Sequence, residues 1–148
     1  MANERDDLRR RVRAIMGDDV RWVEPNVRST VGAGIPDCVF KFGKHEFDIE
    51  LKFWKYTKFG LKSEMRPAQI RYHVMKARQN HRTAILFGVE VKGSAGEFAM
   101  YLVPNTRCPK ENYILKKADC FMIGYAYDNE ASVKQRIKNW LLSKEFWK

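Results

Sequence analysis

The segment from Phe47 to Phe53 alternates strictly between apolar and polar side chains, which is the pattern of a β-strand. The apolar positions are Phe47, Ile49, Leu51 and Phe53, and the charged positions between them are Asp48, Glu50 and Lys52. Because successive side chains of a strand point to opposite faces of a sheet, the two sets are separated. The pattern predicts a strand over about residues 46–54, with one face in the core and one face that carries two acids and a lysine.

A turn at Gly43-Lys44-His45 predicts that residues 37–42 form the preceding strand of a hairpin. If the turn is tight, facing residues have numbers that sum to roughly 87, and Asp37 lies opposite Glu50. Directly opposed residues share a face, with Cβ atoms about 4.5–5.5 Å apart. A slip of one residue would place Asp37 opposite Leu51 and separate the two acids. The chemistry described next therefore depends on the register.

Two carboxylates at that distance repel each other unless a cation lies between them. Oxygen ligands suit Mg²⁺ or Mn²⁺, and the backbone carbonyl of Leu51 is a further candidate ligand. Such a cation lowers the pKa of a bound water and makes hydroxide available near neutral pH. Lys52 shares the face of Glu50, where its charge can orient that water or stabilise a transition state. Glu-x-Lys on a strand is also typical of a solvated ion-pair face, and Pro-Asp of a turn.

The charge of the chain favours a polyanionic partner. The 148 residues carry a formal net charge of +10, and residues 52–82 contain nine Lys or Arg residues and one acid. This is the footprint of a nucleic-acid-binding surface, with an affinity that falls with salt. An anionic membrane would require one continuous basic amphipathic helix, and Gly60 and Pro67 interrupt the segment. The candidate DNA contacts within it are Lys55, Lys58, Lys62, Arg66 and Arg71.

The rest of the chain predicts further elements of one domain over residues 1–148. A first helix buries Leu8, Val12 and Ile15, ends at Gly17, and has a solvated face of arginines at positions 9, 10, 11 and 13. An edge strand is expected within residues 20–35. A helix over 63–81 has Ser63 as its cap and an apolar stripe of Ile70, Val74 and Ala77. Strands follow at 83–89 and 98–103, and an amphipathic C-terminal helix contains Val133, Ile137, Trp140 and Leu141.

Neither a membrane span nor a secretory signal is indicated. No apolar run approaches the ~20 residues that a membrane helix needs, and the charges of residues 1–7 are followed by no apolar stretch. The expected location is cytoplasmic.

Four features occur in a fixed order: Gly34-Ile35-Pro36-Asp37, then Ile49-Glu50-Leu51-Lys52, then Gln69 within a helix, then the strand over 83–89. Together they resemble the PD-(D/E)xK nuclease superfamily. Within it, the chain is most similar to the VRR-NUC group and to phage-type Holliday junction resolvases. The resemblance covers residues 4–89.

The resemblance implies an α/β fold of the α+β, mixed-sheet kind, with a restriction-endonuclease-like αβββαβ core followed here by the C-terminal helix. It also implies Mg²⁺-dependent hydrolysis of phosphodiester bonds. Carried over by position, Asp37 and Glu50 are metal ligands, Lys52 is the catalytic lysine, and Gln69 lies beside the site. Many members add an acid from the first helix. Glu4 fits that role, and Asp7 or Glu24 are its substitutes.

The function expected from the resemblance is an endodeoxyribonuclease selective for branched DNA, such as a four-way junction, in a bacterial or phage-infected cell. A junction resolvase cuts two strands, so a C2 homodimer is expected. Two alternatives stay open. One is a monomeric nuclease of the same superfamily that acts on flaps or linear duplex, and the other is a nucleic-acid-binding module whose acids are only structural.

Overall fold

The computed structural model describes residues 4–24, 34–57, 60–91, 97–108 and 114–148. For residues 4, 5, 56, 57, 60–62, 114, 115 and 117 the description covers the backbone and leaves out the side chain. Within these ranges a mixed sheet packs against helices, which gives an α+β fold. None of the helices found there is long and apolar enough to cross a membrane.

The helices and strands follow each other in an αβββαβ order through the first two thirds of the chain. The helices are α1 (Glu4–Met16), α2 (Pro67–Arg78) and α3 (Glu130–Leu141). The strands are β1 (Val20–Trp22), β2 (Cys38–Phe42), β3 (His45–Thr57), β4 (Gly60–Lys62), β5 (Thr83–Glu90), β6 (Phe98–Pro104), β7 (Ile114–Leu115) and β8 (Phe121–Tyr125). Apart from the short β4, the order from α1 to β5 is the one that the resemblance implies.

The main sheet has the strand order β1-β2-β3-β5-β6-β8. Its central pair, β3 and β5, is parallel and is connected through α2, whereas the other neighbours are antiparallel. The strand expected within residues 20–35 is β1, and it lies at one edge of the sheet as predicted. Its extension to Val27 and the loop over 29–33 fall outside the described residues. The short strands β4 and β7, which pair with each other, were not predicted.

The β2–β3 hairpin has the predicted register. Cys38 pairs with Ile49 and Phe40 with Phe47, so extending the ladder by one residue sets Asp37 opposite Glu50. Gly43 in the turn has a φ of +62°, a conformation that favours glycine because it carries no Cβ. The strand β3 continues to Thr57, beyond the predicted end at 54.

The two faces of β3 are covered by different layers. Its apolar positions enter the larger core together with Leu8 and Val12 of α1 and Val133 and Ile137 of α3, as the helical spacing predicted. The face of Asp48, Glu50 and Lys52 is covered by α2. The charged face of the alternating strand is therefore an internal surface between a sheet and a helix.

The predicted start of α2 is wrong. Arg66 is extended, with φ −70° and ψ 148°, and the helix begins at Pro67, because a residue that precedes proline avoids the helical region. Ser63 is buried in the segment before the helix and does not cap it. At the other end, the helix stops at Arg78 and Asn80 adopts a left-handed φ of 59°.

The predicted apolar stripe of α2 is also wrong in its emphasis. Its three members, Ile70, Val74 and Ala77, are only partly buried, whereas Gln69 and His73 are fully buried. The cause lies in the sheet beneath, whose facing residues include acids and a threonine. A buried polar surface requires polar partners on the opposing helix, so α2 turns a polar face inward.

Candidate active site

Asp37 and Glu50 form a buried pair of neighbouring carboxylates, each with no exposed surface. The carbonyl of Asp37 accepts a hydrogen bond from the amide of Val23 at 3.0 Å. The amide and carbonyl of Asp37 therefore point toward β1 and away from β3. Asp37 and Glu50 thus form a non-hydrogen-bonded pair, in which the Cα atoms lie about 4.5 Å apart and the side chains are closer than in a hydrogen-bonded pair. The register thus places the two acids in the closer of the two possible arrangements.

The carboxylate of Asp37 is held by β3 and by α1. Its Oδ2 accepts a hydrogen bond from the amide of Leu51 at 2.8 Å, and its Oδ1 lies 3.5 Å from Nη1 of Arg9. Residue 36 lies opposite Leu51 in this register and is proline, which has no amide hydrogen to donate. The carbonyl of Leu51 points to the same side of the strand as its amide, toward Asp37. In a regular ladder it would accept a hydrogen bond from the amide of residue 36, which Pro36 lacks.

Glu50 is held by the first turn of α2. Its Oε1 accepts a hydrogen bond from Nε2 of Gln69 at 2.8 Å, while Oε1 of Gln69 accepts one from the amide of Arg66 at 3.0 Å. These two bonds fix the orientation of the Gln69 amide, because each end has a partner of the right kind. Lys52 Nζ lies 3.9 Å from the same Glu50 oxygen. The four residues predicted to act together, Asp37, Glu50, Lys52 and Gln69, are neighbours in the structure.

The loop before Asp37 packs on the same turn of α2. A Cβ atom added to Gly34 would lie 2.7 Å from the carbonyl oxygen of Ala68, which is closer than real Cβ contacts. Because Ala68 precedes Gln69, one helical turn contacts both the loop that leads to Asp37 and the side chain of Glu50. The relative position of the two acids is therefore set by α2 as well as by the hairpin.

Two further polar pairs that the sequence analysis missed continue this interface. The hydroxyl of Tyr72 donates to Asp48 Oδ2 at 2.8 Å, and its pKa is raised by burial and then by that bond. His73 Nδ1 lies 2.6 Å from Thr83 Oγ1. Burial, followed by the charge of Lys52, lowers the pKa of His73 to about 4, so its ring is neutral at pH 7. The available signal was helical spacing, since Tyr72 and His73 follow Gln69 by three and four residues.

The donor atoms of the site are oxygens. Cys38, next to Asp37, has a thiol whose pKa is raised, first by burial and then by the charge of Asp37, so it is not a thiolate ligand. Within the described ranges there is no group of three or more His, Cys, Asp and Glu residues that could hold a metal ion. What the residues present offer is two carboxylates and a backbone carbonyl, a donor set that fits Mg²⁺ or Mn²⁺ and is unlike a zinc site.

The three acids considered as a further metal ligand, Glu4, Asp7 and Glu24, are not seen at the site in the described part of the chain. Glu4 is the first residue of α1, and its side chain is outside the described part of the chain. Asp7 forms an ion pair with Arg10 at 3.4 Å on the surface of α1. Glu24 is exposed after the end of β1.

The candidate DNA contacts that are described lie on the surface. Lys55, Arg66 and Arg71 are exposed. Lys62 belongs to β4 with its side chain outside the described part, and Lys58 is itself outside it.

The expectation of a solvated arginine face on α1 is wrong for two of its four members. Arg9 contacts Asp37, and Arg11 contacts Glu130 at 3.2 Å and the carbonyl of Asp128. The reason is that α1 packs between the hairpin and α3, so long side chains that leave its flanks meet acceptors on both neighbours.

Comparisons with known proteins find a similar solved structure but no matching family. No protein-family model matches the sequence, and no curated protein matches it. Among solved structures, it is similar to Hjc of Archaeoglobus fulgidus, a Holliday junction resolvase from an archaeal hyperthermophile. That similarity has a TM-score of 0.49 with 16% sequence identity, and it covers 78% of this chain and 93% of that chain. At this level the likeness assigns no function.

Proposed function

We propose that this chain is a Mg²⁺-dependent endodeoxyribonuclease of the PD-(D/E)xK kind. The observation that carries the proposal is the pair of buried, adjacent carboxylates of Asp37 and Glu50, with the ammonium of Lys52 3.9 Å from Glu50. Buried acids are costly, and most are found with partners that favour their ionised form. Here each acid accepts a hydrogen bond from an N–H group, which fixes the orientation of both carboxylates.

Each residue then has a defined part in hydrolysis. Asp37, Glu50 and the carbonyl of Leu51 would hold the cation, with Glu4 of α1 as a further acid. When bound, Mg²⁺ supplies a water of lowered pKa and neutralises phosphate charge. Lys52 stabilises the negative charge that develops on the phosphate. Gln69 keeps the Glu50 carboxylate in one orientation through its hydrogen bond at 2.8 Å.

DNA is the substrate that fits the charge of the chain. The net charge of +10 favours a polyphosphate, and Lys55, Arg66 and Arg71 are exposed for backbone contacts, with Lys58 and Lys62 as further candidates. Branched DNA is the substrate class that the resemblance in sequence implies. We propose that a homodimer presents two sites to the two strands of a junction.

The proposal is tested by Asp37→Asn in cleavage of a four-way junction, a flap and a linear duplex, with Mg²⁺ and with EDTA. The amide retains an oxygen that can accept from Leu51, so the fold is kept while a metal ligand is lost. We expect the wild type to cleave only with Mg²⁺, and the variant to lose at least about 100-fold in rate while binding DNA normally. Asp18→Asn, the same change at an exposed residue after α1, is the control.

The same experiment separates the alternatives. No cleavage of any DNA by the wild type, with binding intact, refutes the nuclease and favours the binding module. Preferential cleavage of flap or linear duplex by a protein that sediments as a monomer favours the monomeric nuclease. Preferential cleavage of the junction by a dimer supports the resolvase.

A further inference from the structure

Arg9 joins the candidate site to a tryptophan at the sheet edge. Its Nη1 lies 3.5 Å from Asp37 Oδ1, and its guanidinium carbon lies 4.5 Å from the centroid of the Trp22 ring. Arg13, one turn later on α1, lies 5.2 Å above the same ring. Trp22 pairs with Cys38, the residue after Asp37. The ring therefore contacts two guanidinium groups, and the one that belongs to Arg9 also lies beside Asp37.

Arg9 supplies Asp37 with a positive charge that does not depend on pH. The Asp37 side chain is fully buried, and an ionised carboxylate in such a position is stabilised by a cationic neighbour. An arginine stays protonated throughout the range in which proteins are folded. A divalent cation bound between Asp37 and Glu50 would neutralise the same carboxylate. The two positive charges therefore compete for one acid.

The geometry of the contact allows the Arg9 guanidinium to move away from the Asp37 carboxylate. At 3.5 Å the pair is longer than the 2.7–2.9 Å typical of a charge-assisted hydrogen bond, so the guanidinium is not locked on the carboxylate. The Arg9 side chain is 29% exposed, which leaves it room to move toward solvent. The face of Trp22 attracts a guanidinium through a cation–π interaction and keeps it near the site when it leaves Asp37.

We propose that Arg9 is the resident counter-ion of Asp37 and exchanges with the divalent cation. Arg9 is thus a positioning residue for the hydrolysis proposed above. This inference rests on that proposed function, which places the cation between Asp37 and Glu50. In the absence of the cation, Arg9 stabilises the ionised Asp37. When the cation binds, it must displace that contact, and Arg9 therefore weakens the cation's affinity.

The test compares Arg9→Met with Arg10→Met in the full chain. Methionine keeps much of the length and apolar packing of arginine without its charge. Arg10 is the matched control, since it lies on the same helix, carries the same charge, is 70% exposed and pairs with Asp7 instead of Asp37. Thermal unfolding in EDTA measures the stability that Arg9 contributes as a counter-ion. Calorimetric titration with MgCl₂ and MnCl₂ measures the Kd for the divalent cation.

For Arg9→Met we expect a lower melting temperature in EDTA than for Arg10→Met, and a Kd for the divalent cation about tenfold tighter, the order of one charge-assisted contact. A merely structural role for Arg9 would lower stability without tightening the Kd. Arg9→Lys, which keeps the charge, is the second variant if methionine prevents folding, and it should bind the cation as the wild type does.

Two results would overturn the exchange. One is an equal Kd for Arg9→Met and Arg10→Met, whatever their melting temperatures, and the other is a Kd for Arg9→Met weaker than that of the wild type. The nuclease activity is judged separately, by cleavage with the wild-type protein. Absent cleavage together with a tighter Kd for Arg9→Met would refute the nuclease and support the exchange.

Discussion

Gln69 of α2 donates a hydrogen bond to Glu50 of β3 at 2.8 Å and accepts one from the amide of Arg66 at 3.0 Å. One side chain therefore closes the first turn of the helix and orients a carboxylate of the candidate site. A helix start and a functional acid are usually separate features of a fold. Here they share an amide group, so a change at residue 69 acts on both.

Replacement of Gln69 by glutamate should make the stability of the protein depend on divalent cations. The new carboxylate can still accept from Arg66, but it faces Glu50 as a like charge, and the lost hydrogen bond to a charged group corresponds to about 1.5–3 kcal/mol. We expect a lower melting temperature in EDTA and a larger rise on addition of Mg²⁺ than in the wild type. Gln79→Glu, at the exposed C-cap of the same helix, is the control. Its charge lowers the melting temperature slightly because it opposes the helix dipole, but the rise on addition of Mg²⁺ should equal that of the wild type.

Replacement of Gly34 by alanine should disturb the site through the backbone. The new Cβ would lie 2.7 Å from the Ala68 carbonyl oxygen, and relief of such overpacking costs about 1–3 kcal/mol. Gly43→Ala is a useful comparison, because its Cβ meets nothing within 4 Å but its φ of +62° is strained. Chemical denaturation should find both variants destabilised. Only Gly34→Ala should also bind Mg²⁺ more weakly, because its Cβ displaces the loop that leads to Asp37. An unchanged Mg²⁺ affinity in Gly34→Ala would show that the loop does not position the site.

Replacement of Lys52 by methionine should separate catalysis from metal binding. The ammonium lies 3.9 Å from Glu50, so its removal takes away a charge that repels a cation and that stabilises the transition state. We expect the single-turnover cleavage rate to fall by about 100- to 1,000-fold, with no weakening of Mg²⁺ binding. Lys41→Met, at an exposed position of β2, should cleave normally. Cleavage by the Lys52 variant at the wild-type rate would remove Lys52 from the mechanism.

Burial of His73 should make the protein sensitive to mild acid. Its pKa is about 4 in the folded chain against an ordinary 6.5, so between these values the unfolded chain binds a proton that the folded chain does not. The contribution of neutral His73 to the free energy of unfolding should therefore be fully present above about pH 6.5. It should fall as the pH decreases toward 4 and level off below that value. Urea denaturation of His73→Asn across this window should give a flatter profile, whereas exposed His45→Asn should keep the wild-type slope.

The hairpin and its acids were predictable because their signals are local. Alternation along β3 separated Glu50 from Leu51, and the short turn determined which residue faces Asp37. The same holds for the buried positions of α1 and α3, which follow from helical spacing.

The contacts missed by the sequence analysis depend on which layer covers which face. The apolar stripe expected on α2 was wrong because α2 covers a polar strand face, and nothing in the helix itself reveals what lies beneath it. Only the resemblance placed Gln69 beside the site. Arg9 was assigned to solvent because its partner is 28 positions away in the chain and becomes a neighbour only when α1 packs on the sheet.

The bond from the Leu51 amide to the Asp37 carboxylate has a consequence for chains that fold incorrectly. The acid takes the place of a backbone acceptor in the hairpin ladder, so the interaction that aligns β2 on β3 is also the one that brings the acids together. A chain with the hairpin slipped by one residue would turn one acid to the other face. Correct strand alignment and assembly of the two acids therefore appear together in folding.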